Sequence, residues 1–235
     1  MSKGTELAVK DTNIYLAATA VESEFLSKEE MEEQMKGVTV TLPRVKIPAG
    51  GGLSFEIPNG ENPDDPTIMK VIEGVIIDQF SLNVLWEEGS ENDPDAKPLC
   101  TSNPGADFGV GEPGGKCVVC PLNVFGSGAG GKGKMCKNTR RLFILLPGEM
   151  LPLQLTLPPT SLKNFNTFLL NITSKGLPVW AFPTKIGLKK EEGAYVYSVA
   201  TFARGEVFPE DDLRAIKAMV GQLRLYTRPQ DEVGF

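Results

Sequence analysis

The chain has 235 residues, 41% hydrophobic and 23% charged, with 24 Lys+Arg against 30 Asp+Glu and a net charge of −6. A chain of this length buries roughly 70–75% of its unfolded surface, so it needs no disulfide framework to fold. It has no histidine, which excludes a Ser-His-Asp triad, an HExxH zinc site, a Cys-His pair and a histidine general base.

The longest apolar run, Leu142 to Leu146, is far short of the ~20 residues of a membrane span. Met1 to Lys10 is polar and mixed in charge, unlike a secretory signal. These features lead us to expect a cytoplasmic protein with no membrane partner.

Near the N-terminus, Glu22, Glu24, Glu29, Glu30, Glu32 and Glu33 make an acidic stretch, and Ser27 with Glu30 has capping-box spacing. The spacing predicts a short helix from Ser27 to Lys36. Pro43, Pro48, Gly50 to Gly52 and then Asn59 to Pro66 break up the next stretch. Residues 1–67 therefore read as an extended arm, with short strands at Val38 to Leu42 and Leu53 to Ile57.

Regular patterning begins at Met69. From Val71 to Trp86 the set Ile72, Ile76, Phe80, Leu82, Val84 and Trp86 is apolar, whereas Glu73, Gln79, Ser81 and Asn83 occupy alternate positions, as in a half-buried strand. Periodicity then vanishes from Glu87 to Arg140, and ten glycines fall between Gly105 and Gly133. A loop of that length in a compact domain requires a cross-link. Strands are predicted at Arg141 to Pro147 and Leu151 to Leu157. Pro158 to Ser161 would then cap a helix running to Ser174 and closed by Gly176. A hairpin follows, Val179 to Leu188 and Ala194 to Arg204, joined by Lys189 to Gly193. A last helix starts near Pro209 with Glu210, Asp211 and Asp212 in its first turn and a Leu213, Ile216, Val220, Leu223 stripe.

The order strand, insertion, strand, strand, helix, strand, strand over residues 68–208 is that of an OB-fold. The expected fold is mainly β (α+β): an OB-like five-stranded barrel with an inserted loop at 87–140, an N-terminal arm, and a C-terminal helix with an acidic tail at 209–235. Oligonucleotide binding is a common use of this fold, although fold alone does not establish function.

All four cysteines, Cys100, Cys117, Cys120 and Cys136, lie in the insertion with the spacing Cys-x16-Cys-x2-Cys-x15-Cys. A tight Cys-x2-Cys pair and two flanking thiolates suit one tetrahedral zinc, and four protein ligands make such a site structural. Disulfides, which a reducing cytoplasm disfavours, and an iron–sulfur cluster are the alternatives.

Beside the last cysteine stand Lys132, Lys134, Lys137, Arg140 and Arg141, a concentrated positive field in an acidic protein. Lys185, Lys189 and Lys190 fall on the predicted hairpin, with Tyr195 and Tyr197 on one face of its second strand. Lysines beside aromatic platforms are what sequence-tolerant single-strand binding requires, and Phe125 and Phe143 are further stacking candidates. The competing readings are a solvated loop for the charges and ordinary packing for the rings. The end Asp231-Glu232-Val233-Gly234-Phe235 resembles a shortened form of the acidic, Phe-ended tip with which bacterial single-stranded DNA-binding proteins recruit partners, here replication or recombination proteins. A random acidic terminus is the alternative.

Three runs, Cys117-Val-Val-Cys-Pro-Leu-Asn-Val-Phe-Gly-Ser, Gly131-Lys-Gly-Lys-Met-Cys-Lys-Asn-Thr-Arg-Arg-Leu and Leu157-Pro-Pro-Thr-Ser, resemble a group of uncharacterised phage and prophage proteins. The layout of that group is similar to phage helix-destabilising proteins, which are OB-fold single-stranded DNA-binding proteins with a zinc loop. This chain departs from them in lacking a histidine ligand. The resemblance implies a non-enzymatic binder of single-stranded DNA serving phage or mobile-element replication or recombination. The alternative is a zinc-stabilised structural or adaptor protein that binds another protein. A carboxylate-metal enzyme is a third reading, but Asp78, Asp107 and Glu73 form no recognisable constellation, so no catalytic residue is assigned.

Overall fold

In the computed structural model, residues 14–16, 33–34, 36–38, 41–59, 65–90, 96–193 and 195–227 are described. They form a mainly β, α+β structure: one large mixed sheet, a small two-stranded sheet and two long helices. No described helix is long and apolar enough to cross a membrane.

The organising element is β4, Val71–Leu85, which follows three short strands, β1 (Arg44–Lys46), β2 (Phe55–Ile57) and β3 (Thr67–Met69). Its first residues pair antiparallel with β10, Thr184–Glu192, and the rest pairs with β8, Lys137–Leu145. Gly74 sits at the changeover, where a Cβ would lie 2.6 Å from the Leu145 carbonyl oxygen, so only glycine allows the approach. β8 continues to β9, Leu153–Leu157, and β10 to β11, Val196–Arg204. The neighbour order is therefore β9-β8-β4-β10-β11. Among the described residues β9 does not pair with β11, and the expected barrel is not closed by strand pairing.

The gap between those two edges is filled by the arm and a helix. β1 pairs parallel with β9, and Ser198 on β11 donates a 2.7 Å hydrogen bond to the Gly52 carbonyl. Helix α1, Pro159–Thr173, starts with proline at its first position and has no side-chain cap. The capping hydroxyls expected there serve otherwise, since buried Ser161 accepts the Ala200 amide at 3.0 Å and ties α1 to β11. Val45 and Phe55 of the arm join Ile72, Ile76, Leu142, Ile144, Leu155, Phe165, Ile186 and Ala200 in one core.

A second core lies on the other face of the sheet. A bulge at Ile77, between Ile76 and Asp78, shifts the register, so Val75 and Ile77 on one side of the shift and Phe80, Leu82 and Val84 on the other join the same core. The single apolar face expected for this strand is thus two faces, both buried. Helix α2, Glu210–Thr227, covers the second with Ile216, Met219, Val220 and Leu223. Its last turn is pinned by buried Asp78, which accepts from the Thr227 hydroxyl at 2.8 Å and lies 3.7 Å from Arg224 Nε.

Other boundaries also move. The predicted strand at 38–42 is absent at described residues 38, 41 and 42, and β1 begins at Arg44; 39–40 lie outside the described residues. Of the predicted helix at 27–36 only Glu33, Gln34 and Lys36 are described, the first two of them helical. Lys137 to Arg140 belong to β8, not to the insertion, which contains strands β5 (Cys100–Ser102), β6 (Phe108–Gly111) and β7 (Gly115–Lys116). Trp180 and Phe182 precede β10, which instead runs through Lys189 and Lys190 to Glu192. The tail at 228–235 lies outside the described residues.

Candidate metal centre and nucleic-acid interface

The sheet itself brings the ends of the insertion together. Cys100 pairs with Leu85 at the end of β4, and Cys136 immediately precedes β8, whose Lys137 pairs with Val84. The Cys-x2-Cys knuckle lies on two consecutive 3-10 turns, Cys117–Val119 and Pro121–Asn123, with Cys120 as their hinge. Backbone bonds seat it: the Cys117 amide donates to Asp107 at 2.9 Å and the Cys136 amide to Leu122 at 2.9 Å. The Asn123 side chain donates to the Cys117 carbonyl at 3.0 Å and accepts from Lys134 Nζ at 3.2 Å.

All four cysteines are free thiols, three of them buried, and all four line one cavity of about 10 Å³ with Asn83, Leu85 and Leu122. That volume is on the order of one water-sized sphere, room for an ion and not for a small molecule. Gly109 opens the wall at Cys100, because a Cβ there would approach the Cys100 sulfur to 2.7 Å. Burial, then the nearby Cys100, Cys117 and Cys120 thiols, push the Cys136 thiol up to about 11, and Lys134 opposes the shift. Among the described residues no group of three or more Cys, Asp or Glu side chains is already disposed to hold a metal ion. Drawing the sulfurs to the about 2.3 Å of a zinc–thiolate bond asks for adjustment around a cavity they already line. Four thiols, beside Asn83 and Asn123 side chains already hydrogen-bonded elsewhere, are a set suited to one closed tetrahedral ion.

The basic segment does not form one stripe. Arg140 and Arg141 are adjacent on β8 and face opposite sides of the sheet. Arg140 donates to Gln79 Oε1 at 2.6 Å and Ser81 Oγ at 3.0 Å, and its guanidinium stands 5.4 Å from the Phe165 ring centre. Lys134 is bonded to the knuckle, Lys137 donates to the Lys134 carbonyl at 3.0 Å, and Lys132 is exposed. On β10 each lysine has an acid beside it: Lys185 with Glu73 at 3.6 Å, Lys189 with Glu191 at 2.5 Å and Lys190 with Glu192 at 3.4 Å.

The aromatic candidates divide in the same way. Phe143 is 2% exposed, packed against Phe80 in the core under α2. A base has no access to it, which corrects the stacking role expected of that ring. Tyr195 is 84% exposed but sits in the turn before β11, so it does not share a strand face with Tyr197, which pairs with Glu191. Phe125 in the knuckle is 80% exposed.

Sequence reasoning missed Arg44 and Lys46 on β1. Their exposure on either side of buried Val45 is a strand alternation that the surrounding prolines and glycines obscured. It also missed Asn83, buried beside the cysteine cavity, whose amide nitrogen donates to the Ala106 carbonyl at 3.2 Å and whose side-chain oxygen accepts from Asn138. Compared with known proteins, the chain matches no family model, no curated protein and no solved structure.

Proposed function

We propose that this protein binds single-stranded DNA with little sequence preference, on an OB-like framework whose insertion is cross-linked by one structural zinc held by Cys100, Cys117, Cys120 and Cys136. The observation that carries the reading is the neighbour order β9-β8-β4-β10-β11 around one long shared strand, with a helix between β9 and β10. That order is the one expected of a partly open five-stranded Greek-key barrel, and so supports the reading; in such a barrel the second and third strands and the loops after the first and fourth bind oligonucleotides. Here those strands are β8 and β9. The loops are the cysteine insertion, with exposed Lys132 and Phe125, and the β10–β11 turn, with exposed Tyr195. Zinc would supply a closed cross-link and no chemistry of its own. The role would be in phage or mobile-element replication or recombination, in a cytoplasm.

The test is fluorescence anisotropy of labelled oligo-dT against a duplex of equal length at two salt concentrations, with metal assayed on the same sample. Preference for the single strand, weakening steeply with salt, and one zinc per chain are expected. Absence of binding to either nucleic acid would overturn the reading.

A second reading rests on a separate observation. Val118 and Val119 between the knuckle cysteines are 85% and 75% exposed, beside exposed Phe125. Apolar side chains held outward by a rigid turn suit a protein contact, as in a zinc-stabilised adaptor. That reading predicts no salt-sensitive affinity for nucleic acid.

A further inference from the structure

Strand register places three cations on one face of the sheet, on the side away from α1. β1 is exposed at Arg44 and Lys46 and buried at Val45, which packs in the core with Leu153, Leu155 and Leu157 of β9. Gln154 and Thr156 therefore face the same side as Arg44 and Lys46, and Arg141 faces that side on β8, between Leu142 and Arg140 on the other. The rows are continuous: Lys46 pairs with Thr156 and Thr156 with Arg141, while Arg44 pairs with Gln154 one step along.

Among the described residues Arg44, Lys46 and Arg141 have no carboxylate partner. The nearest acid in the rows, Asp78, is already engaged by Thr227 and lies beside Arg224. The Nε–H of Arg141 is buried and has no hydrogen-bond partner. Burial first, and then the Arg44 charge, lower its pKa, so the two guanidinium groups stand close enough on this face to repel each other. A buried unpaired donor beside a like charge is an arrangement that an anion would relieve.

We propose that Arg44, Lys46 and Arg141 form an oxyanion site for a phosphate group, with the Thr156 hydroxyl between them. Phosphate is favoured over a carboxylate because it presents oxygens in several directions, and here donors come from three strands. Arginine forks grip such oxygens two at a time, and lysine adds a point charge. The phosphate is that of a nucleic-acid backbone or of a small phosphorylated molecule. For the polymer, the site rests on the function proposed above; for the small molecule it does not. The arm thereby contributes two of three ligating cations, which gives its pairing to β9 a binding role besides a packing one.

The test uses the full chain and two probes. Oligo-dT longer than the about 16 nucleotides an OB-fold covers is titrated against wild type and the double variant Arg44→Gln/Lys46→Gln at several salt concentrations. Both substitutions are at exposed positions, so folding is preserved. Inorganic phosphate is titrated while the Arg141 Nε–H resonance, left in place in both proteins, is followed by NMR in wild type and in the double variant. The site predicts a salt slope shallower by about 0.7 per lost charge, and a saturable shift of the Arg141 resonance with either probe. If oligo-dT binds with the same slope in the double variant and the Arg141 resonance is still, the site is refuted while the DNA-binding reading survives. If oligo-dT fails to bind wild type but phosphate shifts Arg141 saturably, and the double variant abolishes the shift, the site stands for a small ligand and the DNA-binding reading falls. A shift growing linearly with phosphate, or none with either probe, overturns the site.

Discussion

The sheet and the cysteine insertion are held together by different forces. β4 and β8 are covered on both sides, with α1 and the arm on one face and α2 on the other, so their apolar side chains from Ile72 to Leu85 and from Leu142 to Leu145 are removed from water. The insertion has only a small apolar cluster, Leu85, Cys100 and Cys136 with Leu122 and Met135 beside it, and is shaped by turns and glycines. Hydrophobic burial scales with area, and the insertion has little area to bury. If the proposed zinc cross-links it, the insertion keeps its shape by that link whereas the sheet keeps its shape by packing, and the two should fail independently.

The largest expected effect separates them directly. On the zinc proposal, chelation, or Cys136→Ser, would remove a cross-link of the kind whose formation in zinc-finger peptides is worth about 10–16 kcal/mol. Amide hydrogen exchange should then rise across 100–136 while 71–84 and 139–145 stay protected. Unchanged exchange in the insertion of metal-free protein would mean that its three short strands and turns suffice.

The converse perturbation strikes the sheet. Phe165 is fully buried and packs edge-on against Phe202 with ring centres 5.1 Å apart. Phe165→Ala should cost about 3–5 kcal/mol, read as a lower urea midpoint, with zinc content per folded molecule unchanged. Loss of zinc in the folded variant would show that the two regions are coupled.

A smaller effect tests how α2 is attached. Asp78→Ala removes the acceptor for Thr227 and the charge beside Arg224, at a cost of about 1–3 kcal/mol. Exchange should increase first at 219–227, ahead of β4. A uniform increase would instead make α2 an inseparable part of the sheet core.

What could be read from the sequence follows the same division. The strand at Leu153 to Leu157 and both long helices show in their periodicity, and that at Leu142 to Leu146 in an unbroken apolar run, because burial selects for both. Phe143 was misread because a strand covered on both faces gives no sign of which ring is accessible; its cover, α2, comes from some seventy residues further on in the chain. The bulge after Ile76 inverted the face assignment of Phe80, Leu82 and Val84, and nothing local in Val-Ile-Ile-Asp-Gln-Phe marks it. Cysteine spacing pointed to one cluster, and the shared cavity agrees, since register between β4, β5 and β8 brings distant cysteines together. Arg44 and Lys46 escaped notice because only pairing with β9, about 110 residues away in sequence, sets them on one face with Arg141.

The smallest effect concerns the edge of the comparison, where the sheet meets solvent on β10. Lys185, Lys189 and Lys190 each stand by a glutamate on a partly exposed surface, and such pairs contribute about 0–1 kcal/mol. Lys189→Ala should therefore leave the urea midpoint nearly unchanged. On the DNA-binding proposal the acids would matter more to binding than to folding, because a phosphate approaching β10 would compete with them. Glu73→Gln and Glu191→Gln together should leave stability within about 1 kcal/mol and tighten oligo-dT binding, most visibly at low salt where exposed charges are least screened. Affinity that does not change in this variant would take β10 out of the interface and confine binding to β8, β9 and the insertion.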